Sequence, residues 1–240
     1  MEIDFAIVYW GLTRSTKKVY ESHISLIQNI LKQDSKTFKI FMHTWQTKDN
    51  KQKVWENVIQ QPIDYDEYKL LLPDVYQIDN QEDFLASVNM DNFFYKHIWQ
   101  RIGHCRQGEW LPGLVTNHIC ALESMKRGFS LVEKCMKDGV LFKHIMFVRP
   151  DVMIHNKFPL HQIVSEKINI PNCEHHEGYN DKFAVMNYEH AQLYAKRIDE
   201  IAEFRKHHGR IVSEKYTKFI IDKYRIPVNM VDFHFSIVRP

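Results

Sequence analysis

The sequence predicts an α/β protein with a mostly parallel central sheet flanked by helices, on three observations. Ile3 to Trp10 and Ile145 to Val148 are almost unbroken apolar runs, the mark of strands covered on both faces. Val115, Ile119, Leu122, Met125, Phe129, Val132 and Met136 step by four, three, three, four, three and four, a one-sided helical stripe that packs on a sheet. Strand and helix signals alternate along the chain, as they do where parallel strands are joined by crossovers.

The elements follow in order. The strand Ile3 to Trp10 ends in the turn Gly11-Leu12-Thr13-Arg14-Ser15. Ser15 or Thr16 caps a helix whose Tyr20, Ile24, Ile27 and Leu31 share one stripe. Phe38 to Met42 is a second strand running out into His43-Thr44-Trp45, and Leu72 to Asp79 a third behind a proline. A helix over Phe93 to Arg101 and a mobile loop holding Gly103, Gly108 and Gly113 precede the striped helix, which Gly139 closes. The next strand carries Arg149-Pro150-Asp151 at its end, where proline cannot continue a central ladder. Short strands at Ile168 to Ile170 and Phe183 to Met186 come next. A helix with Ala191, Tyr194, Ile198 and Ile201 on one face and another starting near Ser213 follow. Val228 to Val238 is extended, with Phe233, Phe235 and Ile237 alternating with His234, Ser236 and Val238.

At 240 residues the chain fits one domain. Its 32 basic and 30 acidic side chains nearly cancel, so nothing in the overall charge favours nucleic acid as a partner. The four cysteines, Cys105, Cys120, Cys135 and Cys173, show no CxxC pair, and a chain of this size needs no disulfides; they read as reduced thiols. The first strand begins within three residues, leaving no room for a signal peptide, and no apolar run approaches the ~20 residues of a membrane span. A soluble, cytoplasmic protein is expected, with no transmembrane segment.

Four blocks carry candidate chemistry, each with a plainer alternative. Gly11, Thr13, Arg14 and Ser15 sit where a helix N-terminus and a guanidinium favour phosphate, although a Gly-x-x-Arg turn is common. His43 and Trp45 suit a nucleobase, or the indole folds back into the core. Arg149 and Asp151 lie at a strand end, where open α/β sheets bind ligands; they suit a phosphate and a divalent cation, or merely pair with each other. Asp181, behind Tyr179 and Asn180, orients or deprotonates a sugar hydroxyl, or closes a backbone turn. Glu214 lies in a first helical turn, where its charge also complements the dipole. There is no GxGxxG, GxSxG or Walker lysine, and Glu174-His175-His176-Glu177 lacks the spacing of a zinc helix.

With these blocks in order, the chain resembles small GT-A-type glycosyltransferases found in large DNA viruses of algae and protists. Gly11 to Ser15, His43-Thr44-Trp45, Arg149-Pro150-Asp151-Val152, Asn180 to Ala184 and Ser213-Glu214 carry the resemblance over essentially the whole chain. It implies a Rossmann-like GT-A fold, with residues 1–155 binding a nucleotide-diphosphate sugar and 156–240 the acceptor. The implied activity is hexosyl or pentosyl transfer from a nucleotide sugar, UDP-sugar as first choice, to a glycan or other hydroxyl; if viral, in the host cytoplasm. An alternative is a glycosyltransferase-like module that binds sugar or protein after losing activity. In the family an Asp-x-Asp holds Mn²⁺ or Mg²⁺ on the diphosphate; here Arg149 replaces the first carboxylate and Asp151 alone remains to ligate a metal. His234 resembles a late histidine ligand. Asp181 is the first choice for a catalytic base and Glu214 the second.

Overall fold

The computed structural model describes residues 1–48, 52–54, 57–59, 63–93, 112–208 and 212–239. Strand β1 (Glu2–Trp10) is buried because successive side chains enter two apolar layers. Ala6, Val8 and Trp10 join Met125 and Phe129 on one face; Phe5, Ile7 and Tyr9 join Ile27 and Leu31 on the other.

After the Gly11 turn come α1 (Thr16–His23), a π-helical stretch Ile24–Gln28 and α2 (Asn29–Gln33). The buried face runs Val19, His23, Ile27 and Leu31, with Tyr20 and Ile24 half-buried beside it. This corrects the predicted stripe: a π turn rotates less per residue, so positions four apart stay in line. β2 (Phe38–Gln46) pairs in parallel with β1 and sets Trp10 opposite His43, so His43-Thr44-Trp45 lies within the strand rather than beyond it. The hairpin β3 (Gln52–Val54) and β4 (Asn57–Ile59), β5 (Val75–Asn80) and α3 (Gln81–Ser87) follow.

Helix α4 (Pro112–Lys137) carries the predicted stripe, and Gly113 is inside it rather than in a loop. The predicted helix beyond Phe93, with Gly103, Gly108 and Cys105, lies outside the described residues. β6 (Leu141–Val148), β7 (Val152–Ile154), β8 (Ile168–Pro171) and β9 (Phe183–Met186) come next. The single helix expected over Ala191 to Ile201 is α5 (Tyr188–Ala195), a 3₁₀ turn Arg197–Glu200 and α6 (Ile201–His208). The chain continues through α7 (Ser213–Lys223), β10 (Val228–Val231) and β11 (Phe235–Ile237).

The main sheet has the order β10-β8-β9-β6-β1-β2-β5, mostly parallel as predicted. Two features of this order position the site. The chain proceeds from β1 toward β2 and β5 on one side and returns on the other with β6, so the order reverses at β1. Strand β9 runs antiparallel to β6, with Phe183 opposite Val148, so the start of β9 reaches the carboxyl end of β6. No described helix is long and apolar enough to cross a membrane.

Candidate functional site

Pro150 stops β6, and the chain turns through Asp151 into β7. β7 pairs antiparallel with β11, and the Val238 amide donates to the Asp151 carbonyl at 2.9 Å. That pairing brings in Arg239, which the sequence reading had not singled out. Asp151 is thereby surrounded by three arginines. Arg149 Nε donates to Oδ1 at 2.9 Å and Nη2 to Oδ2 at 2.6 Å, while Arg14 and Arg239 approach Oδ2 at 3.7 and 3.9 Å. Burial alone would raise the proton affinity of Asp151; the charges of Arg149 and Arg14 outweigh it and hold the carboxyl below its usual range. Burial pulls Arg14 down to about 10, against the attraction of Asp151, and leaves it cationic at neutral pH.

Gly11 adopts φ +101°, a left-handed conformation that favours glycine, and its amide donates to Ser124 Oγ at 2.8 Å. Ser15 is the N-cap residue of α1 as predicted, without a side-chain cap bond. The Thr13 and Ser15 hydroxyls are buried with no hydrogen-bond partner among the described residues. The helix end itself is not open to an anion: Glu67 Oε2 accepts the Lys17 amide at 2.9 Å. This corrects the expectation that helix amides face a phosphate, and leaves that contact to side chains.

A second cluster forms where β9 starts. Asn180 Oδ1 accepts from the Lys182 and Phe183 amides at 2.9 and 3.2 Å, the local turn anticipated for this block. Lys182, also missed in the sequence reading, donates from Nζ to Asp181 Oδ1 at 2.9 Å and to Glu214 Oε1 at 2.8 Å. All three side chains are buried, and Ser213 Oγ donates to Glu214 Oε2 at 2.8 Å. A Cβ on Gly178 would lie 1.9 Å from the Glu214 carbonyl, so only glycine lets this loop close on α7. The Arg149 amide donates to the Lys182 carbonyl at 3.0 Å and joins the two clusters.

Burial works to raise the pKa of Asp181, but the charges of Lys182 and then Arg149 drive it far below the usual carboxylate range. Burial would lower that of Lys182, yet Asp181 and Glu214 keep it above the ordinary ammonium value. On α4, burial pushes His118 down to about 3 against the attraction of Asp181, so its imidazole is neutral at pH 7.

His43 and Trp45 are placed differently from the nucleobase contacts expected of them. The Trp45 indole donates to the Cys120 carbonyl at 3.0 Å, stacks on Phe84 and lies under Arg127, whose guanidinium is 5.0 Å from its ring centre. Burial pulls His43 down to about 4, despite its bond to Asp79, so the ring is neutral at pH 7. A carboxylate only accepts, so Nε2–H donates to Asp79 Oδ2 (3.1 Å); Nδ1 lies 2.7 Å from Ser124 Oγ, whose hydroxyl donates to the His43 carbonyl at 3.0 Å. Ser124 in turn accepts the Gly11 amide. His43 thus holds the Gly11 turn from behind, and Trp45 is core.

The residues around Asp151 do not fit the Mn²⁺ or Mg²⁺ site implied by the resemblance. Such ions take several oxygen ligands. Here both Asp151 oxygens accept from Arg149, and two further guanidinium groups stand where a cation would be repelled. Among the described residues no group of three or more His, Cys, Asp or Glu is arranged to hold a metal. His234 pairs with Asp232 at 2.7 Å and precedes β11, whereas Arg239 follows it, so His234 is at the other end of that strand from Asp151.

No family model matches the chain, and no curated protein does. Among solved structures it is similar to a glycosyltransferase involved in the glycosylation of the major capsid of PBCV-1. The identity is 10%, over 95% of this chain and 82% of that one, with a TM-score of 0.42. It is also similar to the apo form of mouse xyloside xylosyltransferase 1, at 9% identity over 97% of this chain and 86% of that one, with a TM-score of 0.41.

Proposed function

We propose that this protein is a GT-A-type glycosyltransferase that moves a sugar from a nucleotide-diphosphate sugar, UDP-sugar first, to a hydroxyl of a glycan acceptor. The observation that carries the reading is the pair of charged clusters at the carboxyl edge of the sheet, beside the strand where the order reverses. Open α/β sheets bind ligands in that crevice.

In this reading the Gly11–Ser15 turn and Arg14 face the donor diphosphate together with Arg149. As the acceptor hydroxyl attacks the anomeric carbon, the bond to the phosphate oxygen breaks and a nucleoside diphosphate departs. Arg14 and Arg149 stabilise the charge that grows on it, as preorganised cations do in a site shielded from water. The acceptor proton passes to a carboxylate. Glu214 takes precedence over Asp181 here, because the very low proton affinity of Asp181 makes it a poor base. Asp181 then serves to fix Lys182.

Incubation with a panel of nucleotide sugars and candidate glycans, followed by detection of released nucleoside diphosphate and of glycosylated product, tests the reading. Turnover of any donor supports it; donor binding without turnover supports the inactive module instead. The specific observation favouring that second reading is that the Lys182 ammonium is hydrogen-bonded to both candidate bases.

A further inference from the structure

The misfit between Asp151 and a metal ion points to a different way of holding the donor. We propose that Arg14, Arg149 and Arg239 bind the donor diphosphate directly, without a divalent cation, and that Asp151 is their counter-ion. This rests on the glycosyltransferase reading above and adds to it a residue, Arg239, which follows β11.

Three guanidinium groups share one carboxylate within 4 Å. Three guanidinium groups against one carboxylate leave a positive surplus, offset in part by the pull of Asp181 and Glu214 on Arg149, and a nucleotide-diphosphate sugar carries one negative charge on each phosphate. The guanidinium fork matches phosphate oxygens with paired hydrogen bonds, which a point charge does not. Asp151 takes two of the five N–H donors of Arg149, so this arginine can hold its counter-ion and a phosphate together. Arg14 and Arg239 stand at ion-pair, not hydrogen-bond, distance from Asp151. The buried Thr13 and Ser15 hydroxyls, which have no partner among the described residues, flank Arg14 in the same turn. Arg239 is the most exposed of the three arginines, with 38% of its side chain accessible, and Lys18 Nζ donates to its carbonyl at 3.3 Å. Arg239 is thereby a third wall of the diphosphate site.

Calorimetric titration with UDP and with inorganic pyrophosphate, each in excess EDTA and in excess Mn²⁺, tests the proposal on the full chain. UDP is expected to bind with the same affinity in EDTA as in Mn²⁺, more weakly as ionic strength rises. Arg239→Ala should weaken UDP and pyrophosphate together by about tenfold or more, with Arg239→Lys recovering only part of the loss. The melting temperature of ligand-free Arg239→Ala should stay near that of the wild type, since the residue is half-exposed and adds repulsion to Arg149. Affinity for UDP that depends on Mn²⁺, or Arg239→Ala binding as well as wild type, overturns the arginine site and leaves the donor reading standing. Absence of UDP binding in both media overturns the donor reading with it.

Discussion

Around Asp151 three arginines share one carboxylate; around Lys182 two carboxylates share one ammonium. Both clusters are largely buried, both sit at the carboxyl edge, and a backbone hydrogen bond from Arg149 to Lys182 and the attraction between Arg149 and Asp181 link them. The first keeps a surplus of positive charge that an anionic ligand relieves. The second is short of one cation, yet each of its carboxylates has a close bond to Lys182. One sheet edge thus carries opposite surplus charge at two neighbouring places, which in the proposed reading are the side where a diphosphate departs and the side where a hydroxyl loses its proton.

Removing the shared ammonium is the strongest test of that contrast. Lys182→Met strands Asp181 and Glu214 as buried charges, and breaking a buried pair in this way costs about 3–5 kcal/mol. Urea unfolding should show a loss of that size; a loss below about 1 kcal/mol would mean the second cluster is not held together by Lys182. Next is the base. Glu214→Gln should slow transfer by about 10²–10⁴-fold with donor affinity nearly unchanged. Asp181→Asn should act chiefly on stability, and a variant of Asp181 that folds normally but loses transfer as completely would reverse the order of the two carboxylates.

Smaller effects sharpen the picture. Gly178→Ala drives a methyl group into the Glu214 carbonyl, and overpacking of this kind costs about 1–3 kcal/mol, read as a lowered melting temperature. An unchanged melting temperature would show that the loop is not pinned to α7. The mildest prediction concerns acid. Burial holds His23 and His43 near about 4 in the folded chain, against an unfolded value of about 6.5. Between those values the unfolded chain binds more protons, so stability falls as pH falls and is level in this respect above pH 7. From pH 7 to 6 the loss should be roughly under 1 kcal/mol per histidine, deepening toward pH 4. A urea midpoint that does not fall between pH 7 and 5 would contradict it.

Much of the fold was legible because burial leaves a plain mark. The covered stretches of β1 and β6, Phe5 to Trp10 and Ile145 to Val148, are apolar throughout, and α4 is apolar on one face. Direction was not legible: nothing in Phe183 to Met186 says that β9 runs against β6, although that reversal alone puts Asp181 and Lys182 at the site. Of the predicted helix stripe, Tyr20, Ile27 and Leu31 do pack on the core, but Val19 and His23 are buried more fully than Tyr20 and Ile24, since a π turn leaves no trace in a 3.6-residue pattern. For Trp45 the sequence leaves two alternatives, because an aromatic near a strand end looks the same whether it faces a ligand or the core, and the structure has the second. Lys182 reads in the sequence only as part of a polar turn. Arg239 does carry a sequence signal: Val238-Arg239-Pro240 matches Val148-Arg149-Pro150, the apolar-Arg-Pro pattern at the end of β6.

The most direct test of the two-cluster account is a crystal structure of the protein soaked with UDP. The account predicts the diphosphate between the Gly11–Ser15 turn and Arg149, within hydrogen-bond reach of Arg14 and Arg149, and the Lys182 cluster untouched by phosphate. Density for the diphosphate against Lys182, or at a site remote from the carboxyl edge of β1 and β6, would contradict it.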